Sequence, residues 1–115
     1  MATEFDHEQL AAITGGDQEF EREVLEEYLN SVPADIAKLT AAVAAGNAAA
    51  IGAAAHAIKG ASATIGAKGF AAIALELEQA GKKAELSGAA AVLARLESEH
   101  QELAAVLKQR IAKAA

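Results

Sequence analysis

A histidine with a lysine and a glycine at helical spacing lies in the middle of this chain. His56 sits in a run made almost entirely of alanine and glycine, and Lys59 and Gly60 follow it three and four residues later. On an α-helix these offsets place all three residues on one face. Gly52 and Ala63 fall on the same side, so the imidazole would stand among very small side chains with one cation beside it.

Glycine inside a helix is unfavourable, which makes its presence around the histidine informative. Each such residue destabilises a helix by roughly 0.5–1 kcal/mol relative to alanine. Gly52 and Gly60 therefore make sense if another macromolecule must bring its backbone close to the imidazole of His56. The competing interpretation is that His56 is an ordinary solvated residue, as lone surface histidines usually are.

The segment His56-Ala-Ile-Lys59-Gly60, with Gly66 after it, resembles the H-x-x-K-G-x-x-x-x-x-G signature of histidine-containing phosphotransfer (HPt) domains. These domains carry phosphohistidine in multistep two-component relays. The resemblance implies that Nε2 of His56 attacks the aspartyl phosphate of a receiver domain, in a response regulator or a hybrid histidine kinase. The phosphoryl group then passes to a second receiver. Lys59 would stabilise the phosphoryl oxygens as a point charge.

The resemblance also implies docking and positioning residues around the histidine. Gly60 would let the active-site loops of the receiver approach, and Gly52, which the signature does not include, and Ala63 are candidates for the same surface. HPt domains commonly carry Gln or Glu at the position of Glu78, where it can hydrogen-bond the imidazole nitrogen that is not phosphorylated. Lys82, one turn later, matches a position that is often basic. From the residues alone, Glu78 could equally be one of several solvated carboxylates.

The elements that must position these residues are all predicted to be helices. Their predicted bounds are 4–14, 18–45, 48–65, 69–82 and 89–113. Asp17 and Asn47 are predicted N-caps, and Gly46 is a predicted C-terminal stop. Pro33 falls inside the second helix, but the apolar spacing continues in phase beyond it, so we expect one kinked helix.

The predicted connections are short, and the third helix has a clear apolar stripe. Gly66 and Gly69 are expected to bracket a tight turn, and the segment 81–88 to form a polar connection. The stripe opposite His56 consists of Ile51, Ala54, Ala55, Ile58, Ser62 and Ile65. Short connections make successive helices antiparallel neighbours. We therefore expect one all-α domain over 1–115, an up-down-up-down four-helix bundle with a short extra N-terminal helix, which is also the fold that the resemblance implies.

Composition excludes several function classes. The formal net charge of −6, without a stripe of lysine and arginine, does not favour nucleic acid as a partner. The absence of cysteine excludes a thiolate zinc site and a cysteine nucleophile, and favours a reduced, cytoplasmic setting. No uncharged apolar stretch of about 18 residues is present, and the N-terminus does not resemble a signal peptide, so no membrane association is expected.

Other kinds of site fit poorly. A phosphate-binding P-loop needs four residues between its glycines and a preceding strand, whereas five residues separate Gly60 from Gly66. The three histidines are isolated, and Glu97-x-x-His100 occurs once where a di-iron bundle would need the motif twice. A Ser-His-Asp hydrolase would need an oxyanion hole that helices alone do not supply. We therefore expect no cofactor, with Mg²⁺ on the receiver partner, and no enzyme that phosphorylates itself from a nucleotide.

Three alternatives to a phosphocarrier remain. One is a structural or protein-interaction bundle without phosphotransfer. Another is a histidine-kinase dimerisation domain, commonly H-E-[LIF]-[RK]-x-P, although Ala57 follows His56 and no proline comes after it. The third is a degenerate carrier, which the presence of both His56 and Lys59 disfavours. The expected state in solution is a monomer.

Overall fold

The computed structural model describes residues 6–114, which form five helices and no strand. The helices are α1 (His7–Thr14), α2 (Gln18–Ala45), α3 (Ala48–Thr64), α4 (Lys68–Lys83) and α5 (Ala89–Ala114). Helices α2 to α5 pack in a ring in which each contacts its two neighbours, while α1 packs on α2. The predicted all-α four-helix bundle with a short extra helix is therefore confirmed.

Local capping explains where the first three helices begin and where the first two end. Asp6, Asp17 and Asn47 accept hydrogen bonds from backbone N–H groups in the first turns of α1, α2 and α3. Gly15 and Gly46 follow the last residues of α1 and α2 with φ of 64° at each, a left-handed conformation that glycine adopts readily. The predicted caps at Asp17 and Asn47 and the predicted stop at Gly46 are confirmed.

Helix α2 continues through Pro33, as expected from the phase of its apolar residues. The predicted first helix differs at its start, because Asp6 caps it and α1 begins at His7. Residues 4 and 5 of that prediction lie outside the described residues. The ends of α3 and α5 each differ by one residue from the predicted bounds.

Two glycines that the sequence analysis also assigned to connections, Gly69 and Gly81, lie inside α4. This helix begins at Lys68 and ends at Lys83, so Gly69 lies inside it and the turn is made around Gly66, where φ is 88°. Gly81 lies in the last turn of α4 rather than in the connection. A glycine is needed there for tertiary packing, because the backbone of α3 passes directly beside it.

The core is built from large apolar side chains of all five helices. Those that are fully buried include Leu10, Leu25, Val32, Leu39, Ile51, Ile58, Phe70, Leu77, Leu96, Leu103 and Leu107. Inside this core, the hydroxyl groups of Tyr28 and Ser62 lie 2.7 Å apart and join α2 to α3. Phe20, whose spacing in the sequence continues the apolar periodicity of α2, is 44% exposed because it lies in the first turn of that helix, away from the core.

No helix in the part of the chain that the structure describes is long and apolar enough to cross a membrane.

Candidate functional site

Helix α3 turns its apolar stripe into the bundle and His56 toward solvent. Ile51, Ala55 and Ile58 are completely buried, whereas the side chain of His56 remains 68% exposed. The structure therefore places His56 on the face opposite the stripe, where the helical spacing put it. Burial of the stripe fixes the rotation of α3 about its axis, and with it the direction of the imidazole.

A buried carboxylate from α4 holds this imidazole. The side chain of Glu78 is only 3% exposed, and its Oε2 lies 2.6 Å from Nδ1 of His56. Its Oε1 accepts a hydrogen bond of 2.5 Å from Nζ of Lys59, and Nζ of Lys82 lies 3.6 Å from Oε2. The alternative of a solvated Glu78 is wrong. One carboxylate joins His56 and Lys59 on α3 to Lys82 on α4.

The surroundings of Glu78 keep it ionised. The hydrogen bond from Lys59 is the largest influence that lowers the pKa of the Glu78 carboxyl from 4.5 to about 2. The hydrogen bond with His56 and the charges of Lys59 and Lys82 lower this pKa further, against the opposing effect of burial. A carboxylate without its proton accepts hydrogen bonds and cannot donate them.

This ionisation determines which imidazole nitrogen is reactive. Because ionised Glu78 can only accept, the proton of the 2.6 Å hydrogen bond must lie on Nδ1 of a neutral His56. The lone pair is then on Nε2, at the other side of an exposed ring. The site therefore presents a nucleophilic nitrogen of fixed identity and direction.

The small residues near His56 occupy two different environments. Gly60 and Ala63 are exposed, and a Cβ built on Gly60 would meet nothing within 4 Å. Gly52 is half-buried and lies where α3 passes beside Gly81 of α4. Gly52 thus contributes to packing between the two helices as well as to the surface beside the histidine.

A shallow groove of about 510 Å³ lies next to the imidazole, between the first half of α3 and the last turns of α4. It is lined by Ala48, Ala49, Gly52, Ala53, His56, Glu78, Gly81 and Lys82. Small apolar residues thus form much of this groove, while His56, Glu78 and Lys82 supply its polar groups. A partner surface reaching His56 from this side would meet mostly backbone and methyl groups.

Sequence reasoning missed Gly81 as part of this site. Gly81 falls where the predicted fourth helix (69–82) overlaps the polar connection (81–88), and no role is predicted for it. A signal was nevertheless available, since Gly81 follows Glu78 by three residues and must share its face if the helix continues.

Neither of the other histidines belongs to a recognisable metal centre. His100 is half-buried beside the ring of Phe70, with the ring centroids 5.9 Å apart. Nδ1 of His7 lies 2.7 Å from the guanidinium of Arg110. Within residues 6–114, no group of three or more His, Asp or Glu side chains is placed to hold a metal ion.

This chain resembles known proteins in both its sequence and its fold. The model of the Hpt domain family matches residues 23–106, a range that includes every candidate site residue. The crystal structure of histidine-containing phosphotransfer protein B from Pseudomonas aeruginosa PAO1 superposes with a TM-score of 0.89 at 28% sequence identity, covering 95% of each chain. Comparison with curated protein sequences found no match.

Proposed function

This chain belongs to the Hpt domain family and is a phosphohistidine carrier of phosphorelays, and we propose that His56 is the residue that carries the phosphoryl group. One observation supports this assignment above others. The buried, ionised carboxylate of Glu78 accepts a hydrogen bond of 2.6 Å from Nδ1 of His56. This leaves Nε2 as the nucleophile on an exposed ring. A purely structural bundle would have no need for a buried carboxylate that orients a surface imidazole, so that alternative is not favoured.

In the proposed reaction, the lone pair of Nε2 attacks the phosphorus of an aspartyl phosphate on a receiver domain. The Nε2–P bond forms while the bond from phosphorus to the aspartate oxygen breaks, and the aspartate leaves as a carboxylate with that electron pair. The proton on Nδ1 stays in place, so the ring of phosphorylated His56 carries a positive charge. Glu78 stabilises this charge through the existing hydrogen bond, and the reverse reaction passes the phosphoryl group to another receiver.

Two lysines provide positive charge around the reacting group. Phosphoryl transfer depends mainly on positioning and on stabilisation of charge. Lys59 is 30% exposed and is anchored to Glu78, so its ammonium group is held near the imidazole as phosphoryl oxygens arrive. Lys82 is 70% exposed and weakly paired at 3.6 Å, and it would act as a second, more adaptable charge.

The proposed partner is a receiver domain of a response regulator or of a hybrid histidine kinase. It would dock on the exposed face of α3 around His56, where the small residues Gly60 and Ala63 leave room for a close approach. Gly52 and Lys82 extend this surface along the groove toward α4. Mg²⁺ would be bound by the receiver, and this chain would need no cofactor of its own.

Further parts of the proposal concern what the chain does alone. Hpt proteins are carriers rather than classical enzymes, and we expect no phosphorylation of this chain from ATP without a kinase and receiver. We also propose a monomer in the cytoplasm. The lack of cysteine is in keeping with a reducing compartment.

The test is transfer from a receiver domain that has been phosphorylated with acetyl phosphate in the presence of Mg²⁺. The wild-type chain should acquire acid-labile, base-stable label, and His56→Gln should acquire none while keeping its helicity and melting temperature. His7→Gln and His100→Gln serve as matched controls and should still accept label. Label on His56→Gln at the wild-type level would refute the assignment.

A further inference from the structure

We propose that Gly81 is a positioning residue of this site, because the missing side chain there sets the separation of α3 and α4 at which Glu78 can hold His56. The inference rests on the proposed role of His56. Gly81 is buried and lies in the last turn of α4, and it has no unusual backbone conformation that would call for glycine. Glycine is therefore needed at this position because there is no space for a side chain.

The backbone of α3 lies very close to this residue. A Cβ on Gly81 would lie 2.7 Å from the carbonyl oxygen of Ala48, 2.7 Å from the amide nitrogen of Gly52 and 2.9 Å from its Cα. All three are backbone atoms of α3, so no side-chain rotation could relieve the overlap. Ordinary contact begins at 3.4 Å, which means that the helices would have to separate locally by about 0.7 Å.

This contact lies one helical turn from the hydrogen bond that orients the imidazole. Gly81 follows Glu78 by three residues, and Gly52 precedes His56 by four, so each pair shares a helix face. A separation of 0.7 Å that is transmitted in full along the bond between Nδ1 and Oε2 would lengthen it from 2.6 Å to about 3.3 Å. That distance exceeds the usual range of about 2.7–3.2 Å for N–H···O hydrogen bonds.

The constraint is specific to Gly81 and does not apply equally to Gly52. A Cβ on Gly52 would meet only the backbone carbonyl oxygen of Glu78, at the ordinary distance of 3.8 Å. The close approach therefore depends on one glycine of α4. A packing role alone would lower the melting temperature of a Gly81 variant without changing the protonation of the His56 ring.

The experiment compares Gly81→Ala with Gly88→Ala, whose added Cβ would meet nothing within 4 Å. Nitrogen NMR of the uniformly ¹⁵N-labelled, unphosphorylated chain reports which ring nitrogen of His56 carries the proton and how fast that proton exchanges. We expect wild type and Gly88→Ala to show a slowly exchanging proton on Nδ1. In Gly81→Ala this proton should exchange rapidly, and phosphoryl acceptance from a phosphorylated receiver should be roughly tenfold slower.

A second variant keeps the test decisive if Gly81→Ala does not fold. Glu78→Asp withdraws the carboxylate by one methylene without touching the contact at Gly81, and it should produce the same rapid exchange and slow transfer. A folded Gly81→Ala with an unchanged His56 signal, or a Glu78→Asp variant with wild-type exchange, would overturn the proposal. The NMR comparison needs no phosphoryl group, so it distinguishes this failure from failure of His56 to accept phosphate at all.

Discussion

Replacing Glu78 with glutamine removes one charge from the centre of the site while keeping the size of the side chain. In the native structure the carboxylate is almost fully buried and accepts hydrogen bonds from His56 and Lys59. A hydrogen bond to a charged group contributes about 1.5–3 kcal/mol, against about 0.5–1.5 kcal/mol for a neutral one. Because Lys59 and His56 are partly exposed to water, we expect Glu78→Gln to lower the free energy of unfolding at pH 7 by only about 1–2 kcal/mol.

The pH dependence of this loss identifies its origin. The pKa of Glu78 is about 2 in the folded protein and near 4.5 when the chain is unfolded, so its charge stabilises the fold fully above about pH 4.5. That contribution is lost as the pH falls from about 4.5 through the folded-state pKa of about 2, below which the carboxyl is protonated in both states. Denaturant unfolding of wild type and Glu78→Gln at several pH values should therefore give a difference that shrinks with acidification.

The same substitution should slow phosphoryl acceptance. The positive ring of phosphorylated His56 would lose its ionised partner, and the change from a charge-assisted to a neutral hydrogen bond corresponds to roughly a tenfold reduction in rate. Single-turnover transfer from a phosphorylated receiver measures this rate directly. A difference in unfolding free energy that does not vary between pH 6 and 2, together with a wild-type transfer rate, would refute the role given to the charge of Glu78.

Three further substitutions test separate parts of the site and the fold. Lys59→Ala should slow transfer without preventing receiver binding, because its charge matters most as the phosphoryl group moves; an unchanged rate at subsaturating receiver would remove it from the mechanism. Gly60→Gln should weaken receiver binding in a titration while leaving the melting temperature equal or higher, since a side chain there has open space in the free protein; unchanged affinity would mean that this face does not dock receivers. His100→Leu should make stability less dependent on pH between 7 and 5. Burial is the main cause that lowers the pKa of His100 below its usual value of 6.5, so wild type should lose stability as the pH falls through that value. Equal pH profiles for wild type and His100→Leu, measured by denaturant unfolding, would contradict this.

Much of the fold was predictable because its signals are local. The bounds of α2 were predicted correctly, since the cap at Asp17 and the left-handed Gly46 act within a few residues of the helix ends. The outward direction of His56 followed from the periodicity of Ile51, Ile58 and their neighbours. Such features depend on sequence spacing alone, and spacing can be counted without knowledge of the tertiary contacts.

The features that were missed depend on contacts between helices. The sequence offers no reason for glycine at position 81, because only the approach of Ala48 and Gly52 on another helix explains it. The sequence left open whether Glu78 is buried, because its burial depends on the packing of α4 against α3. Its partner Lys59 lies 19 residues earlier, on α3. Phe20 continues the apolar periodicity of α2, but periodicity does not reveal where the neighbouring helices stop covering it.

The most direct test of the central claim is to locate the phosphoryl group on the chain. The ¹⁵N-labelled protein would be phosphorylated by a receiver, or by phosphoramidate as a small phosphoryl donor, and analysed by combined ³¹P and ¹⁵N NMR. We expect one phosphoryl group, bonded to Nε2 of His56, with the proton retained on Nδ1. A phosphoryl group on Nδ1 of His56, or on His7 or His100 in place of His56, would contradict it.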